Sequence, residues 1–257
     1  MRTALVRRTV LTASAVSLAL LGTACGSEKG DAKADAKPAA STGATSAAPA
    51  AKAKTDAELA KLLVAQADLA DHTFKEATPA EVTAGAAATS DKPECKVLAQ
   101  AQALTPAGKP AGTARTKAVA TPKPAAEGAS EQDKLKAIMG AIGSTATAVT
   151  LASYEAKGAE EAFTAAKTAG QKCAGGYGVT QGGDSGKVSK VGPGAALTAG
   201  DEALALTVEG DADGEKFTTQ LVFVRKGNTV ATFSALSLTG TAEQPKAVID
   251  AQVKKLG

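Results

Sequence analysis

The sequence predicts an α+β fold, in which an antiparallel sheet packs with helices in a single domain. Three observations indicate this class. Apolar residues alternate with polar ones in three successive stretches near the C-terminus, and they recur every three or four positions in several other stretches. Residues 25–54 show neither pattern. We therefore divide the sequence into residues 1–24, residues 25–54 and a folded domain at 55–257.

Residues 1–24 have the pattern of a bacterial export signal. Arg2, Arg7 and Arg8 precede an apolar run at 10–21, and residues 1–24 contain no acidic residue. The run is shorter than the ~20 residues that a membrane-spanning helix needs, so we interpret it as the apolar part of a signal peptide. The pair Arg7–Arg8 also resembles a twin-arginine motif, which leaves two export routes open.

The residues before Cys25 predict that this cysteine is lipidated. Gly22, Thr23 and Ala24 resemble the small residues of a bacterial lipoprotein signal, in which the cysteine becomes the mature N-terminus. Two acyl chains hold a protein stably at a membrane, whereas one chain does not. We therefore expect a lipid anchor on the extracytoplasmic face of the cell membrane. The alternative is an ordinary signal cleaved after Ala24, with Cys25 left as a free thiol.

The segment after the predicted lipid has the composition of a disordered linker. Residues 26–54 consist mainly of Ala, Lys, Asp, Ser, Thr, Gly and Pro, without apolar periodicity. Such a segment cannot bury enough apolar surface to offset the entropy lost on ordering. We predict that residues 25–54 space the folded domain from the membrane.

The charge balance argues against a nucleic-acid-binding protein. The chain has 29 basic and 26 acidic residues, and the three arginines of the predicted signal account for the whole excess of +3. General nucleic-acid binders carry a basic excess, so no nucleic-acid partner is expected. Aromatic residues make up only 3% of the chain and Trp is absent, so the core must be built from Ala, Val and Leu.

The first half of the domain is predicted to be mainly helical. Thr55 and Glu58 have the spacing of a capping box, which opens a helix with apolar residues at helical spacing. A short strand and turn are predicted within 73–82, and a helix starts at Cys95. Residues 105–130 are rich in Pro, Gly and Ala, so we predict a flexible surface insertion, with a functional flap as the alternative.

The second half is predicted to alternate helices with strands. A helix follows Glu131, a strand covers 145–154, and the best helix of the chain follows Gly158. Residues 175–186 are predicted to form a glycine-rich loop. Three strands then form a meander around Leu204–Val208, Phe217–Phe223 and Val230–Leu238, with glycine-containing turns between them. A closing helix is predicted after Thr241, with Thr241 and Gln244 as its cap and Pro245 in its first turn.

The three cysteines predict one disulfide. If Cys25 carries lipid, Cys95 and Cys173 remain, and an oxidising extracytoplasmic compartment allows them to join. The alternative of a metal site is disfavoured, because two cysteines and the distant His72 fall short of a structural zinc set. We therefore expect a bond between Cys95 and Cys173, and neither a metal nor a cofactor.

One segment is similar to the nucleophile segment of chymotrypsin-like proteases. It is Gly183–Gly186, with Ser185 in the position of the nucleophile. That chemistry requires a histidine as base and a carboxylate that orients it. His72, the single histidine of the chain, lacks the sequence context of that family, and Lys187 stands where the family has glycine. A polar turn is the better interpretation.

Two other motifs are incomplete. A phosphate-binding loop ending at Lys187 requires a glycine where Gln181 stands and a hydroxyl residue where Val188 stands. A calcium loop starting at Asp211 requires a glutamate where Val222 stands. We therefore expect that the protein is not an enzyme, and a secreted hydrolase is the weakest of the alternatives.

Six segments, taken in their order along the chain, resemble those of one family. They are Leu62–Leu63, Asp68–Leu69, Cys95, Val149–Tyr154, the helix ending at Cys173 and Val224–Asn228. The family is that of the actinobacterial cell-surface lipoproteins related to the extracellular sensor domain of PknH-type receptor kinases. The resemblance covers about residues 56–257 and implies an antiparallel sheet flanked by helices, with a cleft thought to bind an extracellular ligand. The family typically has two disulfides, whereas this chain can form one.

The leading functional prediction is a non-catalytic, membrane-anchored module that binds a ligand or acts as a sensor. Its ligand is an unidentified small molecule, lipid or cell-surface protein. The alternative is a carrier of lipid or glycolipid, which requires an apolar cavity between sheet and helices along the faces of Leu204, Leu221 and Phe223.

Overall fold

The computed structural model describes residues 52–121, 125–142, 145–212, 214–237 and 241–257. The predicted signal peptide, the predicted lipidation site Cys25 and the linker up to residue 51 lie outside these ranges. The described residues confirm the predicted α+β class. The strands are β1 (His72–Glu76), β2 (Thr89–Ser90), β3 (Gly112–Ala120), β4 (Thr145–Ser153), β5 (Tyr177–Gln181), β6 (Asp184–Pro193), β7 (Glu202–Ala212), β8 (Glu215–Lys226) and β9 (Thr229–Ser237).

Six α-helices accompany these strands in the described ranges. They are α1 (Asp56–Leu62), α2 (Pro79–Ala86), α3 (Lys96–Gln102), α4 (Glu131–Ile142), α5 (Gly158–Lys172) and α6 (Lys246–Leu256), and a 3₁₀ turn at Pro93–Cys95 leads into α3. The strands form one sheet with the order β1-β3-β4-β9-β8-β7-β6-β5-β2, in which neighbouring strands are antiparallel. The predicted C-terminal meander is therefore confirmed as β7–β8–β9.

The sheet buries a core on each of its faces, because successive side chains of a strand point to opposite sides. On the first face, Leu221 and Phe223 pack against α3 and α5. On the second face, Val222 and Phe233 pack against α1 and α6. The two faces of β8 are therefore both apolar, as expected of a strand covered on both sides.

The disulfide between Cys95 and Cys173 is present and joins elements of the first face. Their Cα atoms lie 5.8 Å apart, and both cysteines are fully buried. The bond links the turn before α3 to the end of α5. The predicted apolar stripe of α5 is also confirmed, with Ala159, Ala162, Phe163, Ala166 and Ala169 all buried against the sheet.

Residues 105–130 are not a flexible insertion as predicted, because nine of them form β3. This strand pairs with β1 on one side and β4 on the other. Its burial alternates along its length, with small residues such as Ala114 and Ala118 facing the second core. Alanines give a weak apolar signal in sequence, and hydrogen bonds from two distant strands hold the segment in the sheet.

The predicted glycine-rich loop at 175–186 is also wrong. Here β5 and β6 form a hairpin, and Gln181 pairs directly with Asp184. The two residues between them, Gly182 and Gly183, have φ angles of 63° and 98°. A two-residue turn with positive φ at both positions matches the twist of the flanking strands, which explains the glycines.

The two ends of the domain differ slightly from prediction. The folded part begins before Thr55, because Asn228 Nδ2 donates to the carbonyl of Lys52 at 2.9 Å and the Lys54 N–H donates to Ser153 Oγ at 3.0 Å. At the other end, Pro245 is the residue before α6 and no side chain caps this helix. The predicted cap is therefore wrong; Gln244 Nε2 instead donates to the Ala195 carbonyl at 3.3 Å.

Candidate functional site

The structure places the predicted nucleophile and base of a hydrolase far apart. Ser185 lies on β6 and His72 on β1, and five strands separate them in the sheet. The distance from β1 to β6 across the sheet is six strand spacings, or about 29 Å. Ser185 Oγ instead lies 3.3 Å from Thr180 Oγ1, and His72 Nδ1 lies 2.8 Å from Asp71 Oδ1. The two side chains do not form a catalytic pair.

The described residues contain no group of three His, Cys, Asp or Glu side chains that could hold a metal ion. They also contain no helix long and apolar enough to cross a membrane.

A cleft of about 890 Å³ lies on the first face of the sheet, beyond the part that α3 and α5 cover. Its floor is formed by residues of β3, β4, β9 and β8, and Gln102 at the end of α3 forms part of its wall. Strand register arranges the floor in two rows. The first is Lys75–Lys117–Ala148–Ser234, and the second is Val119–Ala146–Leu236–Thr219.

The apolar part of the cleft includes Val119, Leu236 and Phe217, all of them half-buried. The Phe217 side chain lies over its strand partner Gly210. A Cβ atom at residue 210 would come within 2.3 Å of Phe217 Cζ and 2.8 Å of the Lys187 carbonyl oxygen. Only glycine at this position leaves room for the ring, so Gly210 sets the shape of this end of the cleft.

Two hydroxyl groups in the floor have no partner within the described part of the chain. Thr219 is 3% exposed and Ser234 is 6% exposed, and neither side chain makes a hydrogen bond there. No fully sealed polar side-chain atom lacks a hydrogen bond in the described residues, so these hydroxyls reach the surface of the cleft. A buried hydroxyl gains free energy from a hydrogen bond, so both are available to a ligand.

Four charged side chains line the cleft, with Lys75 and Lys117 on the β1–β3 side and Glu215 and Lys216 on β8. Lys75 and Lys117 are direct cross-strand partners, and Lys117 Nζ lies 2.5 Å from Glu81 Oε1. The bond from Lys117, together with bonds from the backbone and hydroxyl of Thr78, lowers the pKa of Glu81 to about 2. Lys75 has no ion pair with any described residue. Like charges placed opposite each other destabilise a sheet, so the β1–β3 side of the cleft favours an additional anion.

The wall of the cleft is fixed by a hydrogen bond to a buried tyrosine. Gln102 Nε2 donates to Tyr177 Oη at 3.0 Å. Burial raises the pKa of the Tyr177 phenol, which keeps the group neutral. Gln102 and Phe217 also border a second cavity of about 520 Å³ next to the β5–β6 hairpin. The two cavities therefore share a wall.

The cavity predicted for a lipid carrier is filled by core residues. Leu221 is fully buried, Phe223 is 2% exposed, and Leu204 packs against the same cluster. The predicted cavity and the observed cleft therefore belong to the same face of the sheet but to different parts of it. The sequence did not indicate Lys75 or Lys117 as candidate site residues, because Lys117 lies in the segment predicted to be an insertion and only the pairing of β1 with β3 brings the two together.

Among solved structures, the chain is similar to the extracellular domain of PknH from Mycobacterium tuberculosis. The similarity covers 80% of this chain and 97% of that domain, with 13% sequence identity and a TM-score of 0.44. No protein-family model matches the sequence, and no curated protein matches it.

Proposed function

We propose that this protein is a ligand-binding module, held on the extracytoplasmic face of the membrane by lipid on Cys25, and that its ligand occupies the cleft beside Phe217 and Leu236. The cleft is the observation that carries this proposal. Its volume of about 890 Å³ lies within the ~300–1,000 Å³ typical of small-molecule sites. Its lining combines apolar residues with a few polar groups, as such sites do.

The proposed anchor agrees with the place where the chain enters the domain. Lys52 and Lys54 bind at Asn228 and Ser153, at one end of β4 and β9. The cleft lies at the other end of β4, around Ala146. Seven residues of strand separate Ala146 from Ser153, which corresponds to about 23 Å. The cleft and the attachment point are therefore at opposite ends of the sheet, which leaves the cleft free for a ligand.

A binding role rather than a catalytic one is supported by the same geometry. Ser185 lies next to the second cavity and has no histidine near it, since His72 lies six strand spacings away. The cleft itself presents lysines, hydroxyls, one carboxylate (Glu215), one amide (Gln102) and apolar side chains. Such groups can bind and orient a molecule.

Native mass spectrometry tests this proposal. The chain would be exported from an actinobacterial host with a cleavable secretory signal in place of residues 1–24 and with Cys25→Ser, so that no lipid is attached. We expect a retained ligand mass on this protein that is lost in Leu236→Arg, in which a charged side chain fills the cleft. Leu135→Arg is the matched control, because Leu135 is 60% exposed on α4. Equal ligand masses on all three proteins, or none on any, would contradict a site in the cleft.

The anchor is tested separately by fractionation of cells. The wild-type protein should sediment with membranes, and a variant that differs from it only by Cys25→Ser should lose the lipid. A lipid mass that persists in this variant would overturn the proposed attachment to Cys25.

A further inference from the structure

We propose that the ligand of the cleft is a single-chain fatty acid. Its carboxylate lies above Ala148, between the Lys75–Lys117 pair and Ser234, and its chain runs along Leu236 toward Phe217. This inference rests on the proposed function, since it names the class of molecule that the cleft binds. Three features of the described residues support it: a lysine without an ion pair (Lys75), an unpartnered hydroxyl in the same cross-strand row (Ser234), and an apolar floor in the row beside it.

The positive charge is concentrated at the β1–β3 side of the cleft. Lys75 and Lys117 face each other across the two strands, and Glu81 supplies one carboxylate for the two ammonium groups. Both carboxylate oxygens of Glu81 are already hydrogen-bonded, Oε2 to the backbone and hydroxyl of Thr78 and Oε1 to Lys117. A carboxylate from a ligand would pair with Lys75 and reduce the repulsion between the two lysines.

The small side chain of Ala148 leaves space for that carboxylate. Ala148 stands between Lys117 and Ser234 in one cross-strand row. Its two neighbours lie about 5 Å away on either side, so a group above Ala148 is within reach of both a lysine ammonium and the Ser234 hydroxyl. This hydroxyl is nine-tenths buried and has no partner among the described residues. It can donate a hydrogen bond to a carboxylate oxygen.

The second row of the floor suits a hydrocarbon chain. Ala146 and Leu236 are paired neighbours, with Val119 on one side, and Phe217 extends the apolar surface beyond them. If each ligand atom takes roughly the 30 Å³ of a water molecule in the liquid, the cleft holds about 30 atoms. A single-chain fatty acid has about 20 non-hydrogen atoms and fits. A phospholipid with two chains has about 50, more than this volume accommodates.

Isothermal titration calorimetry with matched amphiphiles tests the inference, on the exported Cys25→Ser chain described above. The probes are dodecanoate, dodecanol and dodecyltrimethylammonium, which share a chain and differ in charge, and butyrate, which lacks the chain. We expect dodecanoate to bind at least about tenfold more tightly than each of the others. Because the lysines are partly exposed, we expect Lys75→Gln to weaken dodecanoate binding about fivefold.

Lys254→Gln is the matched control, because Lys254 is exposed on α6, which packs on the other face of the sheet. Circular dichroism of each variant checks that it is folded. Equal affinity for dodecanoate and the cationic probe, or equal effects of Lys75→Gln and Lys254→Gln, would overturn the anionic head group. A second outcome separates this inference from the proposed function. If dodecanol bound as tightly as dodecanoate and Leu236→Arg abolished the binding of both, the cleft would be supported as a ligand site, but the inference of an anionic head group would be wrong. If no probe bound but native mass spectrometry showed a different retained ligand that Leu236→Arg removes, the fatty-acid inference would be wrong and the proposed binding function would remain supported.

Discussion

The side chain of Gln252 accepts a hydrogen bond from the backbone N–H of Val64 at 2.9 Å, although 188 positions separate the two residues. Its Nε2 also donates to the Leu62 carbonyl at 2.7 Å, and Gln252 is fully buried. One amide of α6 therefore satisfies two backbone groups at the end of α1. This contact joins the first and last helices of the domain under the second face of the sheet.

Replacement of Gln252 by leucine should strongly destabilise the domain. Leucine is similar in size to glutamine but has no amide group. The Val64 N–H and the Leu62 carbonyl would therefore lose the hydrogen bonds that Gln252 makes to them. At ~1–3 kcal/mol for each lost partner, we expect a loss of about 3 kcal/mol in the free energy of unfolding. Urea denaturation measures this change. Gln244→Leu is the control, because its single bond is long and exposed, and it should cost under ~1 kcal/mol. Equal losses in the two variants would contradict the proposed role of Gln252.

The disulfide should contribute much of the stability of the first face. Cys95 and Cys173 are 78 positions apart, and the chain-entropy model gives such a crosslink at most about 4.5 kcal/mol. We expect Cys173→Ser to lower the melting temperature in oxidising buffer. In reducing buffer the wild-type protein should melt at nearly the same temperature as this variant. A variant as stable as the oxidised wild type would contradict a stabilising bond.

The ion pair between Glu81 and Lys117 should make the free energy of unfolding depend on pH. The pKa of Glu81 is lowered from 4.5 to about 2 in the folded protein, first by Lys117 and then by Thr78. The ionised carboxylate therefore stabilises the fold fully above pH 4.5, and this contribution is lost as the pH falls toward 2. Solvent screens this partly exposed pair, so we expect about 1 kcal/mol.

The test of that pair compares Glu81→Gln with the wild type by urea denaturation across this pH range. The difference in unfolding free energy should be largest near neutral pH, should decrease below pH 4.5 and should vanish only below pH 2. The exposed Glu127 provides a control, since Glu127→Gln should show no such trend. A difference between Glu81→Gln and wild type that stays constant with pH would disprove the effect.

Both tyrosines of the chain should resist ionisation while the protein is folded. Burial raises the pKa of Tyr154 and of Tyr177 above the ordinary value of 10. Tyr154 Oη also donates to the Ala107 carbonyl at 2.6 Å, a bond that only the neutral phenol can make. Stability is therefore complete below pH 10 and declines above it, because the unfolded chain ionises first.

Ultraviolet absorbance of tyrosinate follows this ionisation. In the folded protein the signal should be absent near pH 10 and should rise together with loss of the circular dichroism signal. In urea it should titrate with a midpoint near 10. A folded protein that titrates like the unfolded one would show that the phenols are accessible.

Gly210→Ala should disturb both stability and the cleft. The added Cβ collides with the Phe217 ring and with the backbone at Lys187, so either the ring or the strand must move. Overpacking of this kind costs about 2 kcal/mol, and a displaced ring would narrow the cleft. Gly192→Ala in β6 is the control, since the nearest atom to its Cβ is 3.9 Å away. Similar stability and ligand binding of the two variants would contradict this assignment for Gly210.

Local sequence determined the elements whose signals are complete within a short stretch. The capping box of Thr55 and Glu58 is confirmed by reciprocal hydrogen bonds, the stripe on α5 is confirmed by burial, and the β7–β8–β9 meander follows its alternating residues. Each of these patterns reports which side of one element is apolar, and nearby residues are enough to define it.

Tertiary structure alone decided which strands far apart in the chain pair with each other. The alanines of β3 carry little apolar signal, and this strand exists because β1 and β4 supply hydrogen bonds on its two sides. The same pairing sets Lys75 opposite Lys117, and the ends of α3 and α5 leave the adjoining floor uncovered. Periodicity contains no information about pairing between segments far apart in the chain. The cleft is made of such pairings, so it follows from the register of the sheet and from no single stretch of sequence.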